Sequence, residues 1–165
     1  MPNDDFLAVL DFGSQYAHLI AKRIRHLGVY TEIFPPSSDT DRLEAAKGII
    51  LSGGPASVFA EDVPAFNPEI LNLSQPILGL CYGHQLMAKH FGGSVANTGQ
   101  GEFGKASLRQ LNPSPLWKDV TDNSQVWMSH QDSVTDLPRD FEIIAQTDGC
   151  PSAALQHRQT PIYTL

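Results

Sequence analysis

Pro76-Ile77-Leu78-Gly79-Leu80 is an unbroken apolar run that meets no polar side chain before Cys81. A run of strand length with nothing polar on either face fits a central strand of a parallel sheet, covered on both sides. Residues 83–91 then follow a helical pattern closed by Gly92-Gly93. The junction spells Gly79-Leu80-Cys81-Tyr82-Gly83, with a glycine two positions before and two after the cysteine. This is the cysteine form of a nucleophile elbow: a sharp turn lifts the sulfur clear of the sheet, and small residues let the backbone close beneath it. The sulfur then faces the first turn of a helix, where unpaired N–H groups and the dipole favour a thiolate. The same N–H groups, that of Tyr82 above all, can stabilise an oxyanion. The competing reading of Cys81 is a small core cysteine.

The rest of the chain supplies the βαβ units that a parallel sheet requires. Strands are predicted over 6–10, 30–34 and 48–51, and helices over 16–27 and 39–46. The first helix gathers Tyr16, Leu19, Ile20, Ile24 and Leu27 on one face, the stripe a helix ordinarily turns to the core, and Gly28 stops it. From about residue 94 the pattern changes to short β-like pieces at 105–111, 125–128, 141–146, 152–156 and 161–165. No repeat, low-complexity tract or linker divides the sequence. One α/β domain is expected: a central, mostly parallel sheet with helices on both faces and a smaller β-rich C-terminal part. The run 161–165 stays apolar to the last residue, which predicts a cut chain whose final strand lacks a neighbour and leaves an exposed edge.

Composition narrows the partners. Eleven basic and eighteen acidic residues give a formal charge of −7, with no Lys/Arg run, which argues against nucleic acid and against an anionic membrane surface. No apolar stretch approaches a membrane span, and no charged-then-apolar leader opens the sequence. Cys81 and Cys150 form neither a disulfide framework nor a metal-ligand spacing, so a reducing cytoplasm and no metal are expected. Cys150, in Asp148-Gly149-Cys150-Pro151, reads as a turn cysteine of structural or neutral role.

A second signal is Ser52-Gly53-Gly54-Pro55, just past the strand at 48–51. Loops at carboxyl strand ends line the ligand crevice of a doubly wound sheet, and two glycines there let backbone N–H groups approach a substrate.

Together, Gly79-Leu80-Cys81-Tyr82-Gly83-His84-Gln85 and the Ser-Gly-Gly-Pro loop resemble the class I (triad) glutamine amidotransferases, of flavodoxin-like fold. Asp11-Phe12-Gly13-Ser14-Gln15-Tyr16, Gly101-Glu102-Phe103-Gly104-Lys105-Ala106 and Val126-Trp127-Met128-Ser129-His130 narrow the resemblance to the GMP synthase branch, over nearly the whole chain. The resemblance implies that Cys81 attacks the carboxamide of L-glutamine to give a glutamyl thioester. It implies an oxyanion hole at the N–H groups of Gly54 and Tyr82, and glutamine held by Gly53, Gln85 and the backbone around Ser129, His130, Gln131 and Asp132. Ammonia would pass to a synthetase (ATP-pyrophosphatase) domain that uses ATP and Mg to aminate XMP to GMP. No loop for ATP occurs in this sequence, so no cofactor is expected here; a homodimer is expected of the full-length protein.

One departure is prominent. Members of the family place a His-x-Glu after the strand that here reads Pro161-Ile162-Tyr163-Thr164-Leu165, and this sequence has neither residue. His84 and His130 are the nearest substitutes, and both read as partly exposed histidines with one local hydrogen bond. His18, His26, His90 and His157 show no partner pattern. Loss of a general base typically costs about 10²–10⁴-fold, so negligible glutaminase activity is expected of these residues alone. Two other readings stay open: a non-catalytic glutamine-binding or regulatory module, and another cysteine-elbow hydrolase on a related sheet.

Overall fold

β1 (Leu7–Leu10) sends Val9 to one face of a sheet and Ala8 and Leu10 to the other, and all three are fully buried. Burial on both faces requires a layer on each side, and the sequence supplies both. α1 (Tyr16–His26) covers Val9, while α2 (Thr40–Leu43) lies on the opposite face with a 3-10 turn at Pro68–Asn72 and α3 (Tyr82–His90). The structure, a computed structural model, describes residues 5–13, 15–54, 57–59 and 63–165, with the backbone alone at residue 100. Ser14 and Pro55, members of two of the motifs, lie outside the described residues.

The remaining strands are β2 (Thr31–Phe34), β3 (Gly48–Leu51), β4 (Ile77–Gly79), β5 (Ser94–Gln110), β6 (Ser124–Asp136), β7 (Phe141–Gln146), β8 (Ala154–His157) and β9 (Ile162–Thr164). They form one nine-stranded sheet in the order β2-β1-β3-β4-β9-β8-β7-β5-β6. From β2 to β9 the pairs are parallel, and from β9 to β6 antiparallel. Register brings Leu10, Leu51, Gly79 and Thr164 level at the carboxyl ends of β1, β3, β4 and β9. The loops that leave this ledge carry Phe12, Ser52 and Cys81, where a doubly wound sheet collects its ligands. A second, smaller core of Leu108, Ile144, Ala145, Cys150, Ala153 and Ala154 lies under the β5–β6 hairpin.

Three expectations are corrected. The final strand is not an edge: β9 lies between β4 and β8, because the antiparallel β8 supplies its second neighbour. The pieces at 105–111 and 125–128 belong to a long hairpin of 17 and 13 residues, held by cross-strand pairing, with half-buried and exposed residues alternating along β6. Finally, α1 does not bury its large apolar stripe. Ala17 and Ala21 are fully buried against the sheet, whereas Tyr16, Leu19 and Leu27 are 51%, 54% and 73% exposed and Ile20 and Ile24 half-buried. Methyl groups let the helix come close to Val9, Ile33 and Ile50, and that approach turns the larger residues outward.

Overpacking that contact should cost stability. Ala17→Leu and Ala21→Leu are each expected to destabilise the fold by about 1–3 kcal/mol, and Leu19→Gln by less than about 0.5 kcal/mol. Denaturant midpoints at a common m-value check this.

Candidate active site

Cys81 caps the N-terminus of α3 with φ 50° and ψ −102°, a left-handed conformation that L side chains rarely adopt. Backbone bonds hold it there. Leu80 N–H donates to the Leu51 carbonyl (2.9 Å), Cys81 N–H to the Leu165 carbonyl (2.8 Å) and Gly83 N–H to the Leu80 carbonyl (2.9 Å). The flanking glycines are steric necessities. A Cβ at Gly79 would lie 2.5 Å from Met87 Sδ and 2.8 Å from Gly83 carbonyl atoms, and one at Gly83 2.7 Å from the Leu51 oxygen. The strained cysteine between two filled glycine positions has the geometry of a nucleophile elbow, and Cys81 is solvent-exposed where Cys150 is buried. The core-cysteine reading therefore applies to Cys150 and not to Cys81.

Relief of this strain gives a test of the elbow. Cys81→Gly is expected to raise stability by about 1 kcal/mol in chemical denaturation, with Cys81→Ser close to neutral.

Around the sulfur the structure collects the residues singled out in the sequence. A polar cavity of about 360 Å³ is lined by Gly54, Tyr82, Gln85, Ser129, His130, Gln131 and Asp132 together with Cys81. Gly53 flanks it: a Cβ there would lie 3.7 Å from Cys81 Cβ. Gly54 lies close against the Tyr82 side chain, where a Cβ would be 3.0 Å from Cγ. Gln85 Nε2 donates to the Asp132 carbonyl (3.0 Å), tying α3 to β6. Ser57 and Phe103 also line the cavity, and the Ser57 hydroxyl donates to the Asp132 carboxylate. Neither was singled out for the site; Ser57 carried no motif, and its partner lies 75 residues away. Cys81, Gln85, Ser129, His130 and Asp132 also border a second, more apolar cavity of about 280 Å³, which reaches Leu108, Met128 and Cys150. The polar cavity suits a charged amino-acid substrate, whose ammonium and carboxylate would lose hydration without return in the apolar one.

Electrostatics decides how the thiol behaves. Although Cys81 touches solvent, the protein packed around its side chain pushes the thiol above its usual range. The N-terminus of α3 acts in the opposite direction, but a helix dipole is worth about 0.3–1 kcal/mol, less than one pH unit. The thiol is therefore protonated near neutrality and needs a base. His84 is unsuited to that role. It is buried rather than partly exposed, at 7%, with Nδ1 2.7 Å from Thr164 Oγ1. Burial, and secondarily the charge of His130, lowers its pKa to about 4. His130 is half-buried with both ring nitrogens facing oxygens: Nδ1 is 3.1 Å from the Asp132 carbonyl and Nε2 3.4 Å from Glu102 Oε2.

Among the described residues, one group combines metal-ligating side chains: Glu102, His130 and Cys150, with ligand atoms within 4.8 Å of one another. Both Glu102 oxygens already accept hydrogen bonds, and burial pushes the Cys150 thiol up, away from the thiolate a metal needs. The group is a hydrogen-bond network. Also among the described residues, no helix is long and apolar enough to cross a membrane.

His84 gives a sign-defined pH dependence. Its folded pKa, about 4, lies below the unfolded value, so its stability contribution is complete above about pH 6.5 and is lost as pH falls towards 4. Relative to His84→Asn, the unaltered chain is expected to lose roughly 3 kcal/mol between pH 7 and pH 4, read from denaturation midpoints.

A parallel sheet whose carboxyl ledge presents a cysteine elbow beside a polar amino-acid-sized cavity defines a thiol enzyme of the amidotransferase class. The family described as glutamine amidotransferase class-I matches residues 8–165, and the chain belongs to it. It is 49% identical over 167 residues to the GMP synthase [glutamine-hydrolyzing] of Campylobacter hominis, covering 100% of this chain and 32% of that protein. The Nostoc sp. protein of the same name is 48% identical over 159 residues, covering 95% of this chain and 29% of that protein. The chain thus spans about a third of the length of these relatives. Among solved structures, a Thermoplasma acidophilum protein provisionally assigned as one of the subunits of GMP synthase superposes with TM-score 0.83 at 31% identity, covering 96% of this chain and 80% of that one. A Thermotoga maritima glutamine amidotransferase shares the fold, with TM-score 0.78 at 20% identity over 98% of this chain and 74% of that one.

Proposed function

We propose that this chain binds L-glutamine and presents the nucleophile that splits its carboxamide, as the glutaminase part of a GMP synthase. The observation that carries the reading is the strained, solvent-facing Cys81 opening onto a polar cavity lined by Gly54, Tyr82, Gln85 and residues 129–132. In this reading Sγ, once deprotonated, bonds to the carboxamide carbon, and the tetrahedral oxyanion accepts from the N–H groups of Gly54 and Tyr82. The Tyr82 N–H has no acceptor among the described residues. Collapse breaks the C–N bond, ammonia leaves with the transferred proton, and water cleaves the thioester to glutamate. Gly53, Gln85 and the backbone of Ser129, His130, Gln131 and Asp132 hold the amino-acid end.

The proton-accepting residue is not among these side chains, since His84 is held as a weak base and both nitrogens of His130 face other oxygens. These residues alone are therefore expected to bind glutamine and turn it over negligibly. Ammonia is destined for a synthetase domain that uses ATP and Mg to convert XMP to GMP, and the outward apolar row of α1 is a candidate face for such a partner. Two unpaired thiols fit a cytoplasmic setting.

A glutamine-mimicking chloroketone tests the reading. It is expected to label Cys81 selectively, with excess glutamine blocking the adduct, as read by peptide mass spectrometry with iodoacetamide as the general thiol control. Labelling of Cys81 no faster than Cys150, or indifferent to glutamine, would sink the proposal.

A further inference from the structure

Glu102 takes no part in the chemistry at Cys81, yet its side chain is engaged from three directions. Its carboxylate, only 16% exposed, accepts from the Thr147 hydroxyl (2.7 and 2.9 Å to its two oxygens) and from the Gly149 N–H (3.1 Å), and it faces His130 Nε2 at 3.4 Å. The Thr147 hydroxyl is itself oriented by the Cys150 N–H (3.0 Å). A Cβ at Gly149 would lie 2.6 Å from Glu102 Cγ, so the loop between β7 and β8 leaves out a side chain where the carboxylate enters. From His130 the path continues: Nδ1 lies 3.1 Å from the Asp132 carbonyl, Gln85 Nε2 donates to that carbonyl (3.0 Å), and Gln85 N–H donates to the Cys81 carbonyl (3.1 Å). One polar path thus runs from the β7–β8 loop to the nucleophile.

The hairpin geometry shows why a brace belongs there. β5 and β6 pair regularly from Val95↔Val134 to Asn97↔Asp132 and again from Glu102↔His130, so residues 98–101 bulge opposite Gln131, with a smaller register shift at Ser94/Val95. A bulge removes ladder hydrogen bonds and bends the strand, at the place where residues 129–132 face Cys81. The hairpin joins the main sheet through Arg109↔Gln146 and Gln110↔Ala145, at the far end of β5. Glu102 is the first paired residue after the bulge, and it bonds across to the β7–β8 loop.

We infer that Glu102 is a positioning residue for glutamine binding: it fixes the His130 ring, and through it the backbone of residues 129–132, at the distance from Cys81 that the substrate's amino-acid end requires. This rests on the reading of that segment as glutamine-binding given above. Glu102 touches neither the substrate nor the reacting atoms, so its effect falls on affinity and not on thiol reactivity. The amide of Glu102→Gln keeps an acceptor for Thr147 and Gly149, and Glu102→Ala keeps none.

The experiment compares the unaltered chain with Glu102→Ala and Glu102→Gln. It measures the glutamine concentration that half-protects Cys81 from the chloroketone, the iodoacetamide rate at Cys81, and amide hydrogen exchange along the chain. Glu102→Ala is expected to raise the half-protecting concentration about tenfold or more. The iodoacetamide rate should stay unchanged, and exchange should rise at residues 129–132 but not in β1, β3 or β4. Glu102→Gln should recover most of the affinity. Unchanged protection with unchanged exchange, or exchange that rises throughout the sheet, would overturn the inference. If glutamine fails to protect even the unaltered chain, the functional reading falls instead, and the local exchange response alone decides whether Glu102 braces the segment.

Discussion

The backbone turn from Leu80 to Gly83 sets the position of everything else at the site. The Leu80 N–H is held by the end of β3 and the Cys81 N–H by the residue after β9, so the turn is bonded into the strands on both sides of β4. The gaps that Gly79 and Gly83 leave are filled by Met87, Leu51 and their own backbones. Folding energy spread over the parallel sheet thus maintains one residue in a conformation it would otherwise leave. A left-handed cysteine costs of the order of 1–3 kcal/mol, and it persists because leaving it would break bonds to two strands at once.

Much of this was legible in the sequence, for reasons that differ by element. β4 and α3 are legible because an unbroken apolar strand and a glycine-flanked cysteine admit few backbones. The expected run 141–146 coincides with β7. The first half of β5 is illegible, since residues 94–104 are polar and glycine-rich and gain order from their partner strand rather than from an apolar face. The inward face of α1 was misread because amphipathicity favours large side chains, whereas closeness of approach favours the methyl groups of Ala17 and Ala21. Local pattern singled out Cys81 and Tyr82, the family resemblance added Gln85, and the structure brings all three to one cavity. Ser57 and Glu102 depend on contacts 75 and 45 residues distant, which no local pattern carries.

The site also divides its labour. The α/β ledge supplies Cys81, Tyr82 and Gly54 on short turns, and the hairpin supplies the wall that faces them. Gln85 joins the two, since its helix starts at Cys81 and its amide ends on the Asp132 carbonyl. Burial pushes the Cys81 thiol up and so disfavours the thiolate, the form that oxidants attack.

The alanine contact of α1 separates two kinds of evolutionary freedom. Because Ala17 and Ala21 carry the helix onto the sheet, the outward Leu19 and Leu27 can drift with little effect on the fold beneath. Lineages can therefore remodel those two positions while the turn at Cys81 stays under separate selection.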